Sequence, residues 1–100
     1  MSYKVNLIYN GVTVERELGT KAKTNPVFRL NRIRIAKHGL VMSDAIDKML
    51  ADGTITKDNL YVAEDGTVTH RLRYKTITKD VEDIYDRLCD ELAEKVVVEE

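Results

Sequence analysis

The chain of 100 residues contains three side chains that could act as soft metal ligands, which are His38, His70 and Cys89. A zinc site requires three or four such ligands, commonly arranged as closely spaced pairs, and these three lie far apart in the sequence. The five glycines are never closer than eight residues, so no phosphate-binding or dinucleotide-binding loop is present. The sequence therefore predicts no metal and no cofactor.

Nucleophilic catalysis has equally little support, because the serines are Ser2, near the terminus, and Ser43, at a predicted helix cap. Cys89 falls on the apolar stripe of an acidic helix, where burial and negative charge disfavour the thiolate. His70 alternates with apolar neighbours, which indicates a core histidine. We expect a protein that is not an enzyme.

Basic and aromatic residues suggest nucleic-acid binding as one hypothesis. The segment 16–38 holds seven Lys and Arg residues against one Glu, and a later predicted strand adds a second basic group. Basic groups can hold phosphates while aromatic rings stack on bases. The candidate residues are Arg29, Arg32, Arg34, Lys37, Tyr61, Arg71, Arg73 and Lys75. If residues 26–38 form a helix, the element order also resembles a winged helix, although Asp44 and Asp47 would repel phosphates.

Acidic residues at the other end of the chain suggest protein binding instead. The segment 80–100 holds nine acids against two bases. An acidic helix face can steer association with a basic surface of another protein. The candidate residues are Asp83, Asp86, Asp90 and Glu94. We favour this second hypothesis, a non-catalytic interaction module such as a small regulator or inhibitor of a larger protein. The identity of that protein and a homodimer both stay open.

Composition places the protein in a broad class. A single cysteine, no Asn-x-Ser/Thr acceptor and no apolar stretch long enough for a membrane span or a signal peptide favour the cytoplasm and no membrane association. With 43% hydrophobic residues and one proline, the chain can bury one core. We expect a single compact domain over residues 1–100.

Two β-hairpins are the clearest local signals. Apolar residues alternate on both sides of Asn10-Gly11, which suits a two-residue type I′ turn and places Tyr9 opposite Val12. Glu64-Asp65-Gly66 predicts a three-residue turn in the second hairpin. That register assigns one apolar face, formed by Leu60, Val62, Val68, Leu72 and Tyr74.

Two helices complete the sequence prediction. Ser43 and Gly53 suit the ends of a short helix at 43–52, and apolar residues recur at helical spacing over 79–96. The run from Val96 to Val98 favours an end to that helix or pairing with a strand. Residues 26–38 carry helix caps, but their apolar residues scatter around a helical wheel, so a fifth strand at 27–36 is slightly favoured. The predicted fold is α+β, with both hairpins in one antiparallel sheet packed against the two helices.

Overall fold

The computed structural model describes residues 2–100 and has the α+β fold that the sequence predicts. Its regular elements are β1 Tyr3–Tyr9, β2 Val12–Gly19, α1 Pro26–Ala51, β3 Leu60–Val62, β4 Val68–Leu72, α2 Lys79–Ala93 and β5 Val97–Glu99. The chain divides into two compact units. The first comprises the described residues up to Leu40 together with Leu92–Glu100, and the second is Val41–Glu91. The single domain expected over 1–100 stays a prediction.

The first unit is built around the β1–β2 hairpin, whose turn and whose register from Lys4 to Tyr9 match the sequence prediction, whereas the predicted pairing of Tyr3 with Leu18 is wrong. Tyr9 lies opposite Val12. Asn10 and Gly11 have φ of 52° and 77°, as a type I′ turn requires. The alternation along β1 buries Val5 and Leu7. A register shift at the far end of the hairpin places Tyr3 opposite Gly19.

The other edge of β1 pairs with β5, so the first sheet has the order β2-β1-β5. The C-terminal helix consequently ends earlier than residue 96, at Ala93. The β-branched residues that follow favour an extended backbone, and the strand that they form pairs Val98 with Leu7. The prediction that the valine run after the C-terminal helix pairs with a strand is therefore confirmed.

The strand predicted at 27–36 is wrong, since these residues belong to α1, which also contains most of the short helix predicted at 43–52. The Asn25 side chain accepts a hydrogen bond from the Phe28 amide at 3.0 Å and so caps the helix. Apolar residues scatter around the helical wheel because several face solvent: Val27 is 77% exposed and Leu30 is 68% exposed. The apolar pattern that favours a strand at 27–36 therefore arises from apolar side chains on the exposed side of the helix.

The second unit contains a separate two-stranded sheet of β3 and β4, so the prediction of one sheet is wrong. Gly66, with φ of 90°, closes the three-residue turn as predicted. The predicted apolar face is only partly correct. Leu60 lies opposite Leu72 and both are buried, whereas Val62 is 56% exposed and Val68, opposite it, is 36% exposed. A register shift between Leu60 and Val62 interrupts the β3–β4 ladder, and the turn sequence alone does not predict this shift.

Local signals identify some helix ends of the second unit, but the predicted start at Ser43 is wrong, because Ser43 lies inside α1. Gly53, with φ of 80°, follows the end of α1 and is a C-terminal stop. Thr78 caps α2 by accepting a hydrogen bond from the Val81 amide at 3.3 Å. The buried core of this unit includes Val41, Ala45, Ile46, Met49, Ile55, Leu60, Leu72, Tyr85 and Cys89. Among residues 2–100, no helix is both long and apolar enough to cross a membrane.

Candidate protein-binding site

A pocket of about 220 Å³ opens in the second unit and brings together residues from five parts of its chain. Its lining consists of Met42, Tyr61, Arg71, Leu72, Tyr74 and Tyr85. Three of these six residues are tyrosines, and two of the three rings are about half exposed, with Tyr61 at 51% and Tyr74 at 52%. The site therefore combines aromatic surface, a guanidinium group and a thioether within one concave region.

Strand alternation and a short turn present the two exposed tyrosines. Leu60 is buried at the start of β3, so the next residue, Tyr61, faces the opposite side and stays accessible. Tyr74 begins a 3-10 turn at Tyr74–Thr76, which follows β4 after the single residue Arg73. Asn59 fixes that turn, because its side-chain amide donates to the Thr76 carbonyl at 3.2 Å. These contacts hold the rim of the pocket in place.

Charges of both signs surround the tyrosines. The Arg71 guanidinium lies 5.9 Å from the centre of the Tyr61 ring, within the range of a cation–π contact. Burial raises the pKa of Tyr74, and the nearby carboxylates of Asp86 and Glu82 raise this pKa further. The pocket lining thus carries one positive charge, at Arg71, while Asp86 and Glu82 act electrostatically on Tyr74.

Tyr85 forms the buried part of the pocket wall. It is 2% exposed, and burial raises its pKa far above the ordinary range. A hydrogen bond joins it to Cys89, one helical turn further along α2. Burial also raises the pKa of the Cys89 thiol, which keeps the sulfur protonated and unreactive at neutral pH. Tyr85 and Cys89 therefore form a buried pair on α2, one member of which lines the pocket.

The histidine that the sequence assigns to the core lies in a surface pair. His70 is exposed, so its predicted place in the core is wrong, and its Nε2 lies 2.7 Å from an Asp47 carboxylate oxygen. Within residues 2–100, no three His, Cys, Asp or Glu side chains are grouped closely enough to hold a metal ion.

The acidic residues that the sequence singles out are divided between the two units. Asp83, Asp86 and Asp90 lie on α2 in the second unit, whereas Glu94 follows the end of that helix and belongs to the first. Asp83 accepts a hydrogen bond from Lys79 at 2.8 Å, and this contact raises the pKa of the lysine. Asp86 lies near Tyr74 at the pocket. The acidic residues stay predicted binding residues.

The basic candidates are also divided. Tyr61 and Arg71 meet at the pocket, and Arg73 and Lys75 lie next to it in sequence on the same unit. Arg29, Arg32, Arg34 and Lys37 belong to the first unit. Arg29 is engaged in the fold, since its side chain donates to the Ala22 carbonyl at 2.7 Å and to the Lys23 carbonyl at 2.9 Å. Its role is to anchor the loop before α1.

Sequence reasoning misses four of the six lining residues as site residues, which are Met42, Leu72, Tyr74 and Tyr85. Each falls on a predicted apolar face, and their convergence depends on how the helices pack on the small sheet. The available signal is the concentration of tyrosine in 61–85, which holds three of the five in the chain. Comparison with family models finds no matching family, and comparisons with curated proteins and with solved structures find no match.

Proposed function

We propose that the protein is a non-catalytic binding module that recognises another protein through the tyrosine-lined pocket. The observation that supports this function is the grouping of Tyr61, Tyr74, Arg71 and Met42 around one opening. Tyrosine, methionine and arginine are enriched in protein interfaces, and tyrosine and arginine supply most of the energetically dominant contacts. A partner side chain that enters the pocket would bury aromatic surface at a small entropic cost, because each tyrosine has few rotatable bonds.

Charge at the pocket favours a protein over a nucleic acid as the partner. Phosphate groups need a surface of one sign, and their affinity comes from neutralisation by Lys and Arg. Here Asp86 and Glu82 lie beside Tyr74, and the lining contains the single guanidinium of Arg71. A pocket with one guanidinium, tyrosine hydroxyls and nearby carboxylates can hydrogen bond with peptide groups and polar side chains. We therefore retain nucleic-acid binding as the weaker hypothesis.

Selection of peptides displayed on phage against the purified protein tests the proposal. We expect enriched peptides to share an anchor residue and to bind at micromolar affinity. Tyr61→Ala and Tyr74→Ala should each weaken binding about thirtyfold or more, as truncation of an interface hot spot costs roughly 2 kcal/mol or more. Fluorescence anisotropy with a labelled peptide measures the change.

Val62→Ala is the matched control, since Val62 is as exposed as Tyr61 and adjacent to it but does not line the pocket. This variant should bind like the wild type. The proposal would be contradicted if the peptides bound both tyrosine variants as tightly as the wild type. A selection that enriches no common anchor residue would contradict it as well.

The proposed mode of binding also bears on the role, the cellular location and the oligomeric state of the protein. A module without catalytic groups that engages a partner by one pocket would act as a regulator or an inhibitor. A free, buried cysteine is compatible with a reducing cytoplasm, where we propose that the protein acts. A homodimer stays a hypothesis that sedimentation analysis would decide.

A further inference from the structure

A second exposed surface, distinct from the pocket, lies on the first part of α1 within the first unit. Three large apolar side chains there face solvent: Val27 is 77% exposed, Leu30 is 68% exposed and Ile35 is 54% exposed. They occupy one side of the helix together with Asn31 and Arg34, because neighbours in this set are three or four residues apart. This set of five residues is the α1 patch, and it extends over about two helical turns.

The charge around the α1 patch is positive. From Asn25 to Ser43 the sequence contains no Asp or Glu, and it contains Arg29, Arg32, Arg34 and Lys37. Arg34 belongs to the patch, and its side chain donates a 3.4 Å hydrogen bond to Asn31. Arg32 and Lys21 lie near the Phe28 ring, at 5.6 Å and 5.1 Å from its centre. The apolar side chains are therefore flanked by cations.

We infer that the α1 patch docks an acidic amphipathic helix of a partner protein. The exposed apolar residues of the α1 patch lie at i, i+3 and i+8, so they can contact the apolar strip of another helix. Carboxylates beside that strip would pair with Arg32 and Arg34. The apolar residues distinguish this occupant from a nucleic acid, since phosphates gain nothing from exposed Leu and Val. A second copy of the same patch is disfavoured because its arginines would repel one another.

Separate replacement of one apolar and one charged residue of the α1 patch tests the proposed docking. A displayed library of 20-residue helical peptides, with acidic, basic and neutral members, is selected against the full-length protein. We expect acidic amphipathic sequences to be enriched. Their affinity, measured by anisotropy, should fall at least tenfold in Leu30→Asp and at least threefold in Arg34→Glu, and should weaken with added salt.

Val62→Asp is the control, since it places the same charge at a similarly exposed apolar residue of the second unit. It should leave peptide affinity unchanged. Circular dichroism melts of Leu30→Asp should match the wild type, because an exposed side chain contributes little to stability. A lowered melting temperature would show that Leu30 is covered and would overturn the inference.

Three further results would overturn it. The first is a selection that enriches no acidic helix, or acidic peptides that bind Leu30→Asp as well as they bind the wild type. The second is a 20-nucleotide single strand that binds through Arg34 and is indifferent to Leu30→Asp, which would identify a polyanion surface. The third is concentration-dependent self-association in sedimentation that Leu30→Asp abolishes, which would identify a second copy as the occupant.

Discussion

Individual side chains show how a charge that suggests binding can instead serve the fold. Arg29 is a candidate for nucleic acid because it lies in a basic segment, yet its guanidinium donates to two loop carbonyls and stacks 4.4 Å from the centre of the Tyr3 ring. Tyr3 in turn donates to Glu100 at 2.6 Å, a bond that raises the pKa of the tyrosine. Sequence shows the charge of an arginine, but only the folded backbone brings carbonyls within reach of it.

Arg29→Ala should lower the free energy of unfolding by about 1–3 kcal/mol, since hydrogen bonds from a charged donor to backbone carbonyls are lost and those carbonyls lose their partner. Arg34→Ala is the matched control in the same helix, and we expect a change within about 0.5 kcal/mol because its side chain is exposed. Urea denaturation of both variants measures the difference. Equal stability of the two variants would contradict the anchoring role of Arg29.

Single elements are predictable where one local signal dominates and unpredictable where signals conflict. Asn10-Gly11 requires positive φ at both residues, so the first hairpin and its register follow from the sequence. Residues 26–38 carry helix caps and a non-helical apolar pattern, and the caps are the better guide. The apolar pattern misleads because Val27 and Leu30 face solvent. Exposed apolar residues such as these break the helical spacing that the buried side of a helix would show in its sequence.

The same substitution at two glycines of the first unit should have opposite effects. Gly11→Ala places a Cβ on a residue with φ of 77° and should destabilise the protein by about 1–2 kcal/mol. Gly39 lies within α1, and a Cβ added there meets no atom within 4 Å beyond the backbone of its own helix and its chain neighbours. Gly39→Ala should therefore stabilise by about 0.5–1 kcal/mol. Thermal denaturation followed by circular dichroism compares them. Stabilisation by Gly11→Ala would show that the turn is not type I′.

At the scale of the whole molecule, the sequence shows the order of charges along the chain but not the surfaces that they form. The net charge of −1 conceals a basic segment and an acidic segment. The fold then assigns four of the nucleic-acid candidates to the first unit and the other four to the second. The α+β class follows from the element signals, whereas the pocket depends on convergence of residues 42, 61 and 85, which are distant in sequence. No spacing rule predicts such convergence.

This division of charge leads to the final prediction, which concerns the weaker hypothesis. We expect single-stranded or duplex DNA or RNA to bind no more tightly than about 10 μM at physiological salt, the range of non-specific association. If Arg71 and Arg73 contacted phosphates, the double variant Arg71→Ala/Arg73→Ala would bind a single strand with a weaker salt dependence. The slope of the logarithm of the binding constant against the logarithm of the salt concentration would become less steep by about 1.4. We expect no such change, because the carboxylates of Asp86 and Glu82 act electrostatically on Tyr74 and would oppose a polyanion there. Lys57→Ala, an exposed change elsewhere on the second unit, is the control for a general loss of charge. Submicromolar affinity that falls steeply with salt and is lost only in the double arginine variant would replace the protein-binding proposal with nucleic-acid recognition.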